Sequence, residues 1–432
     1  MHQKNINYSI SLTLSFIAFL SYLTGFFFNE NSAGAGGYIG DLSLIWPNVK
    51  LYSSNFQDIN STLLSSEYNS SRMPGVYILH KFLNPFTYSL ESYRTSVFLF
   101  SLSLPFLFFL CLKKKFKDIP NSLLILISST ILLSPYIRTD GYWGLEENFS
   151  FFFVLLTYIS LNSYIENKQE KFLKKVALIF FISFFSSIVL YLDTKLILIP
   201  LLCFIIIFFS KEEIRIKIIT LLLYSTFSIP CFYIISVWGG VMNPNAQDGR
   251  AFGVIYFENI CFASSIIGFY LIPLIFFIDN FLKKLKNFYL KKENIFLLLI
   301  FTLYVVYIAF TYDFTTEKIS GSGIIDKLSS ILFANYILKV IFLSTCFIFL
   351  FSLILFFFNN TYINKIILVF FLLFSLISNP LSQEYFDPII FLLIFTFYNK
   401  PIQINFNAAY VLYVYYGILI IGANLYYYNL FN

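Results

Sequence analysis

Long, uninterrupted apolar runs recur along the whole chain, and they constrain its fold more than any other feature. Several runs reach the ~20 residues that a helix needs to cross the hydrocarbon core of a bilayer. Charged residues make up only 12% of the sequence, whereas a soluble domain has roughly 25%. Strands of a membrane barrel would alternate polar and apolar residues, and these runs do not alternate. The sequence therefore predicts an all-α, polytopic transmembrane helix bundle.

Lysines and arginines cluster between many of the apolar runs, and these clusters predict the orientation of the helices. Cytoplasmic loops carry an excess of both residues because positive charge resists translocation. The clusters lie at 113–117, 168–175, 211–217 and 283–292, with single lysines at Lys365 and Lys400. We place all of them inside, together with the N-terminus, in a plasma (inner) membrane. The net charge of +6 then reflects sidedness, and we expect no nucleic-acid partner.

The resulting topology has about 11–13 helices in a single transmembrane domain covering 1–432. The thirteen predicted spans are 8–28, 92–112, 121–137, 147–165, 175–192, 195–209, 217–238, 260–281, 295–311, 331–357, 364–378, 388–399 and 409–430. The C-terminus is expected outside, with no soluble domain after the last span. Residues 29–91 form the longest external loop, and the stretches around Trp46 and at 76–83 predict helices lying at the interface.

On this topology, most carboxylates without lysine neighbours lie on the external side. Asp41 follows the first helix, and Asp140, Glu146 and Glu147 lie in the short connection at 134–148. A carboxylate at the lip of a helix bundle can act as a general base or hold a divalent cation. A glutamate that opens a helix is also stabilised by the helix dipole, so a purely structural role stays open for both glutamates.

Arg72 and Arg138 occur in the same two external loops as these carboxylates. A guanidinium group can bind phosphate through two parallel hydrogen bonds, which a lysine does less well. The combination suits a lipid-phosphate substrate whose tail stays in the bilayer while its head group emerges at the surface. Each arginine is equally consistent with an interface anchor, so that alternative also stays open.

Three segments in roughly the first 165 residues carry a resemblance to a known family. They are Gly-Gly-Tyr-Ile-Gly-Asp at 36–41, Pro-Gly-Val-Tyr-Ile-Leu at 74–79, and the second external loop at 134–148. Together they resemble the GT-C class of integral membrane glycosyltransferases, which includes protein mannosyltransferases and aminoarabinose transferases. The resemblance implies a GT-C-like fold, a polyprenyl-phosphate sugar donor, and an acceptor lipid, glycan or protein on the external, periplasmic face.

The resemblance also implies roles for individual residues. Asp41 matches the first acidic position and is the expected catalytic residue, as general base or metal organiser. Asp140, Glu146 and Glu147 match the second acidic motif and would position the donor phosphate or a metal. Mg²⁺ or Mn²⁺ is the candidate cofactor, with Asp41 and Glu147 as candidate ligands. Many members have two adjacent acidic residues where this chain has only Asp41, which leaves metal dependence open.

Other features are weaker or favour other functions. Glu384 and Tyr385 come just before a late apolar helix and are candidates for the lip of the site, although Asp387-Pro388 beside them is also typical of a helix start. A transporter or flippase would place ionisable residues near the bilayer midplane, where these spans are mostly apolar. An O-antigen polymerase or ligase type of enzyme has a similar helix count but usually a late external loop.

Overall fold

The computed structural model describes the chain except for residues 1, 34–39, 55–57, 71, 167–170, 247–253, 315–321, 379–380, 400–401 and 429–432. The structure is 79% helix and has no strand in its described part. Nine helices within these described ranges are long and apolar enough to cross a membrane, and a bent pair adds a tenth. The chain is thus a helical protein with the composition and helix lengths of a multi-pass membrane protein.

The helices fall into two compact units, residues 1–249 with 413–432 and residues 250–412. The first unit contains α1 (His2–Phe27), α2 (Leu42–Ser54), α3 (Ile59–Leu64), α4 (Gly75–Leu83), α5 (Leu90–Ser101), α6 (Ser103–Lys115), α7 (Asn121–Ser129), α8 (Pro135–Trp143), α9 (Glu147–Glu166), α10 (Phe172–Leu192), α11 (Leu198–Phe208) and α12 (Ile214–Trp238). The second contains α13 (Asn259–Leu271), α14 (Phe281–Tyr289), α15 (Lys292–Thr311), α16 (Gly323–Leu332), α17 (Tyr336–Phe358), α18 (Tyr362–Ile377) and α19 (Ile389–Phe395). The last helix, α20 (Phe406–Tyr427), belongs to the first unit from Tyr413 onward.

The helix count is lower than the 11–13 expected from the sequence because several predicted spans are short. The segments predicted at 195–209, 364–378 and 388–399 form helices of 10–17 residues or fewer, at Thr194–Phe208, Tyr362–Ile377 and Ile389–Phe395. At 1.5 Å per residue, the seven residues of α19 extend only about 10 Å, against a hydrocarbon core of ~30 Å. An apolar run shows that a segment avoids water, but not that it crosses the bilayer.

The third predicted span is not one straight helix. Its two parts, Asn121–Leu133 and Pro135–Trp143, meet at an angle of 65°. Pro135 explains the break, because its ring clashes with the preceding helical turn and it has no N–H to donate. The Ser134 hydroxyl accepts from Ile137 N at 3.3 Å and so starts α8, with proline in the first turn. α8 then runs to Trp143, beyond the predicted end at 137.

The long loop after α1 contains three short helices, α2, α3 and α4, and α2 and α4 lie where the sequence predicts interface helices. Tyr52 of α2 contacts the rings of Tyr68 and Tyr77, at 5.9 and 5.8 Å between centroids. The end of α12 ties the loop down, since Trp238 Nε1 donates to Leu63 O at 3.3 Å and Asn243 Nδ2 to Tyr68 O at 2.6 Å. Although it is a loop in sequence, this region is packed against the bundle.

Candidate functional site

Three connections of the first unit bring five charged side chains together, which we call the carboxylate cluster: Arg72, Glu146, Glu147, Asp193 and Lys195. Arg72 forms an ion pair with Glu146, and its Nη2 is 3.6 Å from Glu147 Oε1. Lys195 Nζ is 3.0 Å from the same Glu147 oxygen and 3.7 Å from Asp193 Oδ2. The residues come from the first loop, the α8–α9 link and the turn after α10, so tertiary structure brings these three segments together.

All three connections lie at the same end of the helices. The span α5–α6 begins after the first loop and ends at Lys115, α9 begins at Glu147, and α10 ends at Leu192. α9 packs on both α6 and α10. Lys115 at the end of α6 and Lys171 directly before α10 are therefore at the opposite end of these helices from the carboxylate cluster. By the rule that positive loops stay inside, the cluster is expected on the external face.

Close packing of α4 against the end of α10 positions Arg72. A Cβ atom placed on Gly75 would overlap the carbonyl group of Tyr191, so only glycine permits this approach. Arg72 lies three residues before Gly75, and Asp193 lies two residues after Tyr191. Asp193 itself caps the short turn Thr194–Leu196 by accepting from Lys195 N at 3.0 Å.

The link that carries Glu146 and Glu147 is held from α5. Gly144 ends α8 with a φ of 74°, a left-handed conformation that favours glycine. Tyr93 Oη donates to Gly144 O at 2.6 Å, and Arg94 Nε donates to Tyr142 O at 2.8 Å. These bonds set the direction in which the chain leaves α8 and so place the two glutamates at the start of α9.

The cluster is buried, and its charges nearly balance. Glu146 is 1% exposed and Glu147 is 5% exposed. Burial raises the pKa of the Asp193 carboxyl, although Lys195 beside it acts in the opposite direction. The Oε2 atoms of Glu146 and Glu147 are buried without a hydrogen-bond partner among the residues that the structure describes. A buried acceptor left unsatisfied costs about 1–3 kcal/mol. Hydroxyl donors of a substrate, or a cation, would satisfy both oxygens.

A divalent cation fits these two oxygens by their chemistry. Mg²⁺ is commonly bound by one or two carboxylates together with substrate phosphate and water. Across the described ranges, no group of three or more His, Cys, Asp or Glu side chains could hold a metal ion by itself. Of the predicted ligands Asp41 and Glu147, Glu147 has a buried oxygen of the kind that would bind such an ion. Metal dependence stays a prediction.

Asp41 lies directly before α2 and is half-buried. The following helix reaches the support of the carboxylate cluster, because the rings of Trp46 and Tyr93 are 5.4 Å apart and Tyr93 bonds the chain at Gly144. α2 also packs on α4, which follows Arg72. Asp41 thus precedes a helix that contacts α4 and Tyr93, which are neighbours of the cluster residues in sequence or in space. Its catalytic role stays a prediction.

Arg138 has different partners from those expected of a phosphate ligand. It is 2% exposed, and its Nε donates to Glu30 Oε1 at 2.8 Å. Other guanidinium bonds go to Ser21 O at 2.8 Å and Leu132 O at 3.1 Å. These bonds brace α8 against the end of α1. Glu30, which the sequence did not single out, is its ion-pair partner, and the predicted role of Arg138 in positioning a donor phosphate stays a prediction.

Asp140 is buried on α8. Its carbonyl oxygen accepts from Leu145 N at 3.0 Å, which helps to end α8. The side chain lies within electrostatic range of Tyr22 on α1. The predicted role of Asp140 in positioning the donor phosphate or a metal stays a prediction.

Glu384 and Tyr385 belong to the second unit. They lie in the short turn Gln383–Tyr385, where Ser382 Oγ accepts from Glu384 N at 3.4 Å. Tyr385 is buried, with its ring 5.7 Å from that of Phe374. Their role as a site lip stays a prediction.

Two cluster residues, Asp193 and Lys195, were not among the predicted site residues. The only signal for them was a short polar interruption, Leu-Asp-Thr-Lys at 192–195, between two apolar runs. Comparisons with known protein families, with curated proteins and with solved structures found no match to this chain.

Proposed function

We propose that this protein is a membrane glycosyltransferase that moves a sugar from a polyprenyl-phosphate-linked donor to a lipid, glycan or protein acceptor on the external face. The observation that supports this best is the carboxylate cluster, in which buried carboxylates with unsatisfied oxygens lie beside Arg72 and Lys195 at one end of the bundle. A lipid-phosphate donor would present its phosphate and sugar at that level while its chain remains among the helices.

The chemistry needs a proton acceptor and a group that stabilises the departing phosphate. The acceptor hydroxyl oxygen forms a bond to the anomeric carbon of the sugar, and its proton passes to a carboxylate. The bond between that carbon and the phosphate oxygen breaks, and polyprenyl phosphate leaves with the electron pair. Asp41 is the base that the resemblance favours, and Glu146 is the base that the cluster favours. Arg72 is the guanidinium in the carboxylate cluster, and it would stabilise the departing phosphate through charged hydrogen bonds.

The test uses purified protein in proteoliposomes with a panel of radiolabelled polyprenyl-phosphate sugars and membrane-extract acceptors. Wild-type protein should consume at least one donor and release polyprenyl phosphate. Asp41→Asn or Glu146→Gln should lower the rate by about 100-fold or more if the residue acts as general base. Glu91→Gln, an exposed carboxylate at the start of α5, is the matched control and should retain full activity.

Thermal unfolding of each variant separates a catalytic defect from misfolding. If both acidic variants transfer sugar at the wild-type rate, the assignment of the site is wrong. If the wild-type protein consumes no donor from the panel, the glycosyltransferase proposal itself is overturned.

A transporter or flippase is the second candidate, and one observation favours it. The α7–α8 break bends a predicted span by 65° beside the buried Arg138–Glu30 pair, and broken helices with buried charges are typical of transporters. Counterflow of a lipid-linked or small polar substrate in liposomes, without any bond cleavage, would favour this candidate. An O-antigen polymerase or ligase type of enzyme would instead yield chains of several repeat units or a single block transfer.

A further inference from the structure

The short helix α14 is amphipathic and lies in a basic stretch of the chain. With 3.6 residues per turn, its apolar side chains share a face about 120° wide. They are Phe281, Leu282, Leu285, Phe288 and Tyr289. Three lysines and an asparagine form the opposite face. The segment 279–293 contains five lysines and two acidic residues, which leaves a net charge of +3. A helix with this division of residues is typical of segments that lie on a membrane surface.

Aromatic contacts fix α14 against the last turns of α17. The rings of Phe281 and Phe288 lie 5.3 and 5.6 Å from the ring of Phe356, close to the end of α17. Tyr289 Oη donates to Ser352 O at 2.8 Å. These contacts all come from the apolar face of α14, so its lysines are left for a partner outside the bundle.

The neighbouring spans place α14 where the head groups of a bilayer would lie. The candidate span Asn259–Phe277 ends just before α14, and the candidate span Lys292–Thr311 begins just after it. The connection between two consecutive spans emerges at one surface of the membrane. Leu282 and Leu290 are 78% and 69% exposed beside the lysines. Exposed leucines next to cations suit the boundary between head groups and acyl chains better than they suit water.

Five exposed lysines belong to this surface, which we call the lysine patch: Lys283, Lys284, Lys286, Lys291 and Lys292. They form no ion pair with the residues that the structure describes. Two other clusters predicted to be cytoplasmic differ in this respect, because Lys117 pairs with Glu166 at 2.8 Å and Lys175 pairs with Glu212 at 2.9 Å. The charge of the lysine patch is therefore not neutralised by ion pairs within this part of the fold, which favours an anionic partner.

We propose that the lysine patch binds anionic phospholipid head groups at the cytoplasmic surface, where lysine-rich connections are expected. The ammonium groups would contact lipid phosphates, while Leu282 and Leu290 would enter the boundary with the acyl chains. Each lysine held near an anionic membrane surface strengthens binding about fivefold. A membrane fits this surface better than an acidic soluble protein does, because α14 is attached at the ends of membrane-spanning helices. The proposal does not depend on sugar transfer and concerns the second unit alone.

The test compares two photoactivatable lipids in nanodiscs of phosphatidylcholine. One is phosphatidylglycerol and the other is phosphatidylcholine, each with a diazirine close to the head group, and labelled peptides are identified by mass spectrometry. Phosphatidylglycerol should label the segment 281–292 several-fold more than phosphatidylcholine does. Raising NaCl from about 0.1 M to about 1 M shortens the screening length from ~10 Å to ~3 Å and should remove most of this preference.

The variant Lys283→Gln, Lys284→Gln, Lys286→Gln removes three charges from the lysine patch and keeps the apolar face of α14. Labelling of α14 by phosphatidylglycerol should then fall about tenfold or more, whereas labelling by phosphatidylcholine should stay as in wild type. Unchanged labelling by phosphatidylcholine also shows that the helix is still in place, so the loss cannot come from misfolding.

The matched control is Lys113→Gln, Lys171→Gln, Lys174→Gln, which removes three exposed lysines from other predicted cytoplasmic clusters and should leave the labelling of α14 unchanged. Equal effects of the two triple variants would overturn the proposal, because all cytoplasmic lysines would then attract lipid alike. Equal labelling of α14 by the two lipids would overturn it as well. If neither lipid labels α14, the lysine patch faces water, the proposal is wrong, and an acidic soluble protein is the better partner.

Discussion

Replacing Lys195 by Met tests the energetics of the carboxylate cluster most directly. The substitution removes a buried cation 3.0 Å from Glu147 Oε1 and leaves an apolar side chain of similar length. Among the residues that the structure describes, Arg72 would then be the cation paired with Glu147, with Nη2 at 3.6 Å. Breaking a buried ion pair by removing one partner usually costs 3–5 kcal/mol. We expect the lower end, about 3 kcal/mol, because Arg72 still compensates part of the charge.

The double variant Lys195→Met, Glu147→Gln separates pairing from packing. It removes both members of the Glu147–Lys195 pair, and the remaining loss is the contact of Lys195 with Asp193 at 3.7 Å, so the cost should fall to about 1–2 kcal/mol. The matched control is Lys117→Met. Its pair with Glu166 has a similar distance of 2.8 Å, but the two side chains are 66% and 37% exposed. An exposed pair contributes about 0–1 kcal/mol, so this variant should stay close to wild type.

Stability can be measured as the free energy of unfolding in mixed micelles titrated with dodecyl sulfate. The reasoning is refuted if Lys195→Met loses less than about 0.5 kcal/mol, or if the double variant loses the sum of the two single variants. Either result would mean that Lys195 and Glu147 do not depend on each other in the folded protein.

Two further substitutions test the structural basis of the site. Gly75→Ala should lower the melting temperature and donor binding, because the added Cβ would overlap the Tyr191 carbonyl. Gly240→Ala is the control, since its Cβ would enter open space, and it should leave both quantities unchanged. Equal effects of the two substitutions would contradict the packing argument. Burial depresses the pKa of His80 to about 3 from an unfolded value near 6.5, so its contribution to stability is present at neutral pH and is lost as pH falls below ~6.5. From pH 7 to 5 wild type should lose about 2 kcal/mol of stability more than His80→Gln, and parallel pH profiles of the two proteins would exclude a buried neutral imidazole.

The individual membrane helices were largely predictable from the sequence. The spans predicted at 147–165, 175–192 and 217–238 appear as Glu147–Glu166, Phe172–Leu192 and Ile214–Trp238. These agree because an apolar run of about 20 residues is the length of helix that crosses a bilayer. The predictions differed where helix length or direction depends on more than hydropathy, as in the break at Pro135 and in the seven-residue helix α19.

The candidate site was predicted in part. Glu146, Glu147 and Arg72 were singled out, and the structure brings them together. Lys195 and Asp193 were not, since a short polar interruption between apolar runs looks the same whether it is a plain turn or part of a site. Lys195 and Glu147 are more than 40 residues apart, so no local sequence pattern indicates that they form an ion pair.

The two arginines make the same point. Arg72 and Arg138 have the same chemistry and similar sequence settings, yet one reaches the carboxylate cluster and the other braces α8 against α1. The amino-acid sequence by itself determined that this chain is helical, apolar and suited to a membrane, because these properties depend on local composition and run length. Only the tertiary structure decided which charges meet, because a buried charge is stabilised by partners that packing brings to it from distant parts of the chain.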